Sequence, residues 1–194
     1  MHANATDIKS SSRSRFGFAG VVESGARAPL PEKAVRSLVT LLFTDIVEST
    51  QLIEQLGDEA WYRLHLRHDA IVRAHLAAFE GREVTCVGDG FFAVFQAPER
   101  AIHCAAGIRS SLQALGVRIR CGLHTSECLV EGSEVCGLAV HIAARIASAA
   151  RPNEILVSRA VKERAFGANV EFVDGHLQAL RGLSSEQELF TVKA

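Results

Sequence analysis

The chain has 194 residues, 48% of them hydrophobic and 22% charged, with a formal net charge of -1. This size and composition fit one globular domain with a short additional segment. The near-neutral charge gives no electrostatic reason to expect nucleic acid or an anionic membrane as a partner, and no apolar run has the length of a transmembrane helix. The five cysteines include no C-x-x-C pair and predict neither a disulfide framework nor a zinc site, so we expect a reducing cytoplasm.

The first 36 residues differ in composition from the rest of the chain. Ser10 to Arg15 is a run of serines and arginines, and glycines and two prolines follow before residue 36. Polar segments of this kind do not bury enough apolar surface to fold alone. We therefore expect a flexible tail or linker over residues 1–36 and one folded domain over residues 37–194.

An apolar run that ends at a carboxylate opens the folded part of the chain. Val39 to Phe43 predicts a buried strand, which we place at Ser37 to Thr44. Asp45 follows directly, and a carboxylate at the end of a buried strand is costly unless it binds a partner such as a cation. Ser49 and Thr50 then begin a helix, whose free N–H groups attract anions. A cation ligand beside such a helix start is typical of a metal–nucleotide site.

Helical periodicity runs from Ser49 to Phe79, with a break near Gly57. His65, His68 and Asp69 lie close together on this helix, so a metal site is conceivable there. Surface or half-buried histidines are the favoured interpretation, because a zinc site needs three or more converging ligands and a satisfied second shell.

Two apolar runs flank the segment Gly88-Asp89-Gly90. A D-G pair between such runs predicts a β-hairpin, in which Asp89 is an ordinary turn residue. Asp45 at the end of the first strand adds a second interpretation. Two carboxylates at adjacent strand tips would hold two hard cations through oxygen ligands.

The remaining chain alternates between helices and short strands. We predict helices at Ala101–Leu115, Ala139–Ala149 and Arg159–Phe166, strands at Val117–His124, Glu154–Ser158, Glu171–Val173 and Glu188–Val192, and a loop or hairpin at Thr125–Val135. The first six elements follow the β-α-β-β-α-β order of the ferredoxin-like unit. The predicted fold is therefore α/β of the α+β kind with a mainly antiparallel sheet. In this unit the first strand ends beside the turn of the central hairpin, which would bring Asp45 and Asp89 together.

Three segments together carry a family resemblance: Leu42 to Thr50, Gly88 to Phe91 and Gly137 to Arg145. Their order and spacing resemble the catalytic domain of class III nucleotidyl cyclases, the adenylate and guanylate cyclases. The resemblance covers about Arg36 to Ala194 and points to the soluble bacterial domains, including those of mycobacteria. It implies the class III cyclase fold and a homodimer with its active site between the two subunits.

The resemblance implies that one subunit holds two Mg²⁺ or Mn²⁺ ions through Asp45 and Asp89, with help from the backbone carbonyl of Ile46. The ions would lower the pKa of the ribose 3′-hydroxyl and hold the phosphates. The hydroxyl would then attack the α-phosphate of a nucleoside triphosphate, releasing pyrophosphate and a 3′,5′-cyclic nucleotide. Ser49 and Thr50 at the helix start would bind the triphosphate.

The partner subunit is expected to supply the remaining groups. Arg145 matches the family's transition-state arginine. His141 takes a position usually held by asparagine, and its ring still donates a hydrogen bond to ribose or phosphate. Arg181 matches a lysine that contacts the terminal phosphates, and its guanidinium keeps the charge.

The base-selecting positions depart from the usual adenylate cyclase pattern. Thr85 stands in place of a lysine, and Glu134 in place of an aspartate. Glu134 would accept a hydrogen bond from adenine, guanine or cytosine, so the residues leave the base open and family frequency favours ATP. One alternative is a cyclase that acts on GTP or a pyrimidine triphosphate. The other is a degenerate cyclase-homology domain that binds nucleotide or a partner without turnover.

Overall fold

The computed structural model describes residues 34–165 and 169–193. Within these residues the elements are β1 (Val35–Ile46), α1 (Ser49–Leu56), α2 (Asp58–Ala78), β2 (Arg82–Val87), β3 (Gly90–Phe95), α3 (Pro98–Gln113), β4 (Ile119–Glu131), β5 (Glu134–Cys136), α4 (Leu138–Ala149), β6 (Ile155–Ser158), α5 (Arg159–Arg164), β7 (Glu171–Gln178) and β8 (Gln187–Lys193). Residues 1–33 of the predicted tail lie outside the described residues, and Val35 and Arg36 already belong to β1. Phe166, the predicted last residue of the fifth helix, also lies outside them.

The order of the elements agrees with the sequence prediction, and the largest difference in boundaries is at β4. Gly57 separates α1 from α2 with a φ of 74°, close to the predicted break. β4 continues to Glu131, whereas a loop or hairpin was predicted from Thr125 onward. The additional residues of β4 pair with the first residues of β1, where Val35 lies opposite Val130. Backbone pairing thus extends both strands beyond their apolar runs.

The strands form one sheet in the order β2-β3-β1-β4-β6-β8-β7, and β5 pairs with β4. The first four strands have the β4-β1-β3-β2 arrangement of a ferredoxin-like unit. Among the described strands, β4 and β6 run parallel and the other pairs are antiparallel. The predicted α+β fold with a mainly antiparallel sheet is confirmed.

β1 is buried on both faces of the sheet. Leu42 belongs to the core shared with α2 and α3, while Leu41 and Phe43 belong to the core shared with α4. This division follows from the two-residue repeat of a strand, which sends successive side chains to opposite faces. Asp45 continues the series of Leu41 and Phe43 and therefore lies on the face that α4 covers.

The helix α4 lies directly against β4 at Gly122. A Cβ atom at this position would lie 2.1 Å from the backbone nitrogen of Ala147 and 2.5 Å from its Cα. Because no side chain fits here, glycine allows α4 to rest directly on the strand. The same approach brings the carbonyl of Ser148 within 3.3 Å of Arg120 Nη1.

All five cysteines are free thiols. Burial raises the pKa of Cys104 and of Cys121 to about 12, so both are neutral packing groups at physiological pH. None of the described helices is long and apolar enough to cross a membrane.

Candidate active site

The two aspartates predicted as metal ligands lie at the same end of two neighbouring strands. β1 and β3 pair as far as Thr44 opposite Phe91. Asp45 is the next residue of β1, and Asp89 lies two residues before Phe91, in the turn between β2 and β3. Since paired strands are about 4.8 Å apart, the register places the two residues at the same end of neighbouring strands. Asp89 is 2% exposed, and the side chain of Asp45 is 15% exposed.

Arg120 contacts Asp45, and the sequence analysis missed it. It lies opposite Asp45 in the register of β1 and β4. Its Nη2 and Nε atoms donate hydrogen bonds of 2.6 and 3.1 Å to Asp45 Oδ2. A guanidinium in this place is suited to phosphate oxygens as well as to a carboxylate. In the sequence Arg120 is one of two alternating strand arginines, and only the register distinguishes it from Arg118.

The turn after Asp45 leads into the start of α1. Ile46 and Ser49 are buried, while Thr50 is exposed. Glu48 precedes the helix with a φ of 56° and provides no side-chain cap. Its carboxylate accepts a hydrogen bond from Arg118 instead. Because no side chain caps this end, the first N–H groups of α1 suit the predicted anion.

Thr85 and Glu134 belong to two segments that contact each other. The β2–β3 register shifts just before Thr85, which lies opposite Phe92 on the face that α4 covers. Arg82, at the start of β2, donates a 2.7 Å hydrogen bond to the carbonyl of Ser133 in the β4–β5 turn. Glu134 is the next residue and is exposed. The structure therefore joins the segments that carry the two predicted base-selecting residues.

His141 and Arg145 project from the outer side of α4. The side of this helix that rests on the sheet is formed by Ala139, Val140, Ala143, Ile146 and Ala147. At about 100° per residue, His141 and Arg145 fall on the opposite side. Leu138, which is 65% exposed, lies there too. This side of α4 presents an arginine, a histidine and a leucine outward.

Arg181 lies in the connection between β7 and β8. It is exposed and precedes Gly182, whose φ is 83°. Two cavities of the described chain lie elsewhere, one against β6, β7 and β8 and one between α1, α2 and the start of β4. None of the predicted site residues lines either of them.

A buried histidine, His124, joins β4 to β6 on the strand that carries Arg120. A 2.8 Å hydrogen bond links its Nδ1 to Ser158 Oγ. Burial, and to a lesser extent the charge of Arg164, lowers the pKa of His124 to about 4. The ring is neutral near pH 7, and its role is to hold the sheet together.

A family model described as "Adenylate and Guanylate cyclase catalytic domain" matches residues 32–194. The chain belongs to this family. The resemblance predicted from three short segments is thereby confirmed. Over 169 residues the cyclase domain is 24% identical to a Rhizobium meliloti protein named putative adenylate cyclase 3, covering 82% of this chain and 29% of that protein. Over 152 residues it is 30% identical to an uncharacterised Mycobacterium tuberculosis protein, covering 75% of this chain and 52% of the other.

Solved cyclase structures share the fold of this cyclase domain. The adenylyl cyclase CyaB from P. aeruginosa superimposes with a TM-score of 0.77 at 21% identity, covering 83% of this chain and 96% of that one. The guanylyl cyclase Cya2 gives a TM-score of 0.72 at 22% identity, with coverages of 82% and 93%. The fold is thus common to proteins named for either base and does not distinguish ATP from GTP.

Proposed function

We propose that the cyclase domain converts a nucleoside triphosphate, preferentially ATP, to its 3′,5′-cyclic monophosphate and pyrophosphate. It would do so as a homodimer with two Mg²⁺ or Mn²⁺ ions in each active site. The observation that supports this most is the position of Asp45 and Asp89 at neighbouring strand ends in a member of the cyclase family. The fold alone would not support the proposal, because proteins with the same fold catalyse different reactions.

The donor set of the aspartates fits the proposed ions. Two carboxylates and the carbonyl of Ile46 are hard oxygen ligands, which Mg²⁺ and Mn²⁺ prefer. Asp89 is almost completely buried, and a buried carboxylate gains more from a bound cation than an exposed one. When bound, the ions supply the charge that lowers the pKa of the ribose 3′-hydroxyl and neutralises the phosphates.

Arg120 would change its partner when the site fills. Its guanidinium now pairs with Asp45, the group proposed to hold a cation. A cation on Asp45 would repel the guanidinium, which would then bind the anionic phosphates beside it through its planar fork. Backbone N–H groups of Ser49 and Thr50 would add donors at the start of α1. Arg181 would add a positive charge at the terminal phosphates.

Arg145 and His141 are proposed to act across the homodimer interface. Both project from α4 away from the sheet, beside the exposed Leu138. A second chain would bring its Arg145 to the Asp45 and Asp89 of the first, where the guanidinium would stabilise the charge that develops on the α-phosphate. His141 would donate a hydrogen bond to the ribose or a phosphate. Two-fold symmetry would give two such sites in each dimer.

ATP is preferred on two grounds. The rhizobial relative carries the name putative adenylate cyclase 3. In addition, Glu134 would accept a hydrogen bond from the adenine amino group while the Thr85 hydroxyl donates to a ring nitrogen. The same two groups would also serve guanine, so base choice is the first property to measure.

Incubation of the chain with Mn²⁺ and each of ATP, GTP, CTP and UTP tests the proposed function. We expect cyclic AMP as the main product, and a rate about 10³-fold lower from Asp45→Ala, which lacks one oxygen ligand. A lack of product from all four nucleotides would refute the proposal. Tight nucleotide binding without product would favour the alternative of a domain that binds without turnover.

A further inference from the structure

His65, His68 and Asp69 converge on one side of α2. Their spacing of three and four residues puts them on one face of the helix. One ligand atom from each residue lies within 4.8 Å of the other two. Asp69 Oδ1 is 3.1 Å from His68 Nδ1 and 3.8 Å from His65 Nδ1. His68 is 1% exposed, whereas the sequence favoured surface or half-buried histidines.

Two imidazole nitrogens of this cluster are buried and have no hydrogen-bond partner among the described residues. They are His65 Nδ1 and His68 Nε2. Buried polar atoms are nearly always satisfied, because an unsatisfied one costs about 1–3 kcal/mol. A cation held between the three residues would satisfy His65 Nδ1 directly, since that nitrogen lies 3.8 Å from Asp69 Oδ1. The side chain of His65 is 26% exposed, which leaves a small ion access from solvent.

The separations between the ligand atoms suit a tetrahedral metal. Zinc–nitrogen bonds are about 2.0–2.1 Å long, so two ligands of a tetrahedral ion lie about 3.3 Å apart. The 3.1 Å hydrogen bond of His68 Nδ1 and the 3.8 Å separation of His65 Nδ1 from Asp69 Oδ1 bracket this value, and the ion would replace that hydrogen bond. Two imidazoles with one carboxylate favour Zn²⁺ and Co²⁺ over Mg²⁺.

The surroundings of the cluster resemble the second shell of a metal site. The other oxygen of Asp69, Oδ2, accepts a 3.1 Å hydrogen bond from Arg73. Arg73 is held in turn by Glu83 through bonds of 2.9 and 3.2 Å. Trp61 stacks on His65 with the ring centroids 5.8 Å apart. Such contacts fix the orientation of a ligand before the metal arrives.

We propose that His65, His68 and Asp69 bind one Zn²⁺ ion, with a fourth position open to water. The site uses none of the oxygen donors proposed for catalysis and does not depend on the proposed function. It follows from the convergence of three ligand atoms, one of which, His65 Nδ1, is buried without a hydrogen-bond partner among the described residues.

Calorimetric titration of the full chain with Zn²⁺ in excess Mg²⁺ tests the site. We expect one Zn²⁺ per chain, and binding at least about tenfold weaker in His65→Gln, which alters a partly exposed side chain. His103→Gln, on α3, is the matched control and should bind as the wild type does. Asp45→Ala should also bind normally, because its carboxylate belongs to the other cation site.

Thermal unfolding and visible spectra provide independent readouts. Zn²⁺ should raise the Tm of the wild type and of His103→Gln but not of His65→Gln, since ligands stabilise the state that binds them. Co²⁺ should give d–d absorption without thiolate charge transfer. Failure to bind Zn²⁺, equal affinity in His65→Gln, loss of binding in Asp45→Ala, or a thiolate band would each overturn the proposal. If His65→Gln unfolds, Asp69→Asn replaces it and should show the same loss.

Discussion

The two halves of the proposed active site are built differently. The aspartate half, Asp45 with Asp89 and Arg120, lies where paired strands end, and an ion pair already joins two of its members. The arginine half, His141 with Arg145, lies on the outer side of α4. Backbone register orders the first half within one chain, whereas the second is presented on a surface. One chain therefore positions the proposed cation ligands, whereas the proposed transition-state groups would depend on a partner.

The largest effect is expected from disabling each half separately. Asp45→Ala and Arg145→Ala should each lower kcat by about 10³-fold, because one loses a cation ligand and the other a charge on the transition state. An equal mixture should recover about a quarter of wild-type activity, since half of randomly formed dimers are mixed and each keeps one intact site. The rate of cyclic nucleotide formation by the mixture, relative to the wild type, measures the recovered activity. A mixture as inactive as its components would mean that the halves do not meet across an interface.

Removing Arg120 tests whether the aspartate half also binds phosphate. Arg120→Ala should lower kcat/KM by about 10²-fold through the lost charge, and Arg120→Lys should lie between it and the wild type. The variant should also need less Mn²⁺ for half-maximal activity, because no guanidinium competes for Asp45. Arg118→Ala, directly before the same strand, is the matched control, and its arginine pairs with the exposed Glu48. Wild-type kcat/KM in Arg120→Ala would exclude the phosphate role.

Acid should weaken the sheet that carries the aspartate half. The pKa of His124 is about 4 in the fold and about 6.5 when unfolded. The unfolded chain therefore takes up the proton first, and stability falls as the pH drops from about 6.5 to 4, by about 3 kcal/mol in all. Urea unfolding at several pH values measures the slope. In His124→Gln the free energy of unfolding should depend much less on pH between about 4 and 6.5. An unchanged slope would show that other groups cause the loss of stability in acid.

The smallest effect is expected at the contact that joins the two halves. Gly122→Ala would press a methyl group into the backbone of Ala147 and should cost about 1–3 kcal/mol. Gly132→Ala, in the β4–β5 turn, meets open space and carries only the strain of its φ of 57°, about 1–2 kcal/mol. Thermal unfolding compares the two variants. Cyclase activity should fall only in Gly122→Ala, because that variant alone displaces α4.

The sequence predicted the strand-end positions of Asp45 and Asp89 better than the groups around them. An apolar run that ends at Asp45 and a D-G turn at Asp89 each predict the end of a strand. The ferredoxin-like order of elements predicts that these two ends are neighbours. Arg120 was missed because its pairing with Asp45 depends on the register between β1 and β4. For His65, His68 and Asp69 the sequence favoured surface or half-buried histidines over a metal site, because helical spacing does not show how far each ring is buried.

By itself the sequence determined the order of the elements, the break at Gly57 and the chemical groups available for a cyclase site. These properties are local, since they depend on apolar periodicity and on residues that end strands and helices. Only the tertiary structure decided that Arg120 meets Asp45 across 75 positions of the chain, and that α4 turns His141 and Arg145 away from the sheet. Such contacts depend on strand register and helix packing, which are properties of the assembled core.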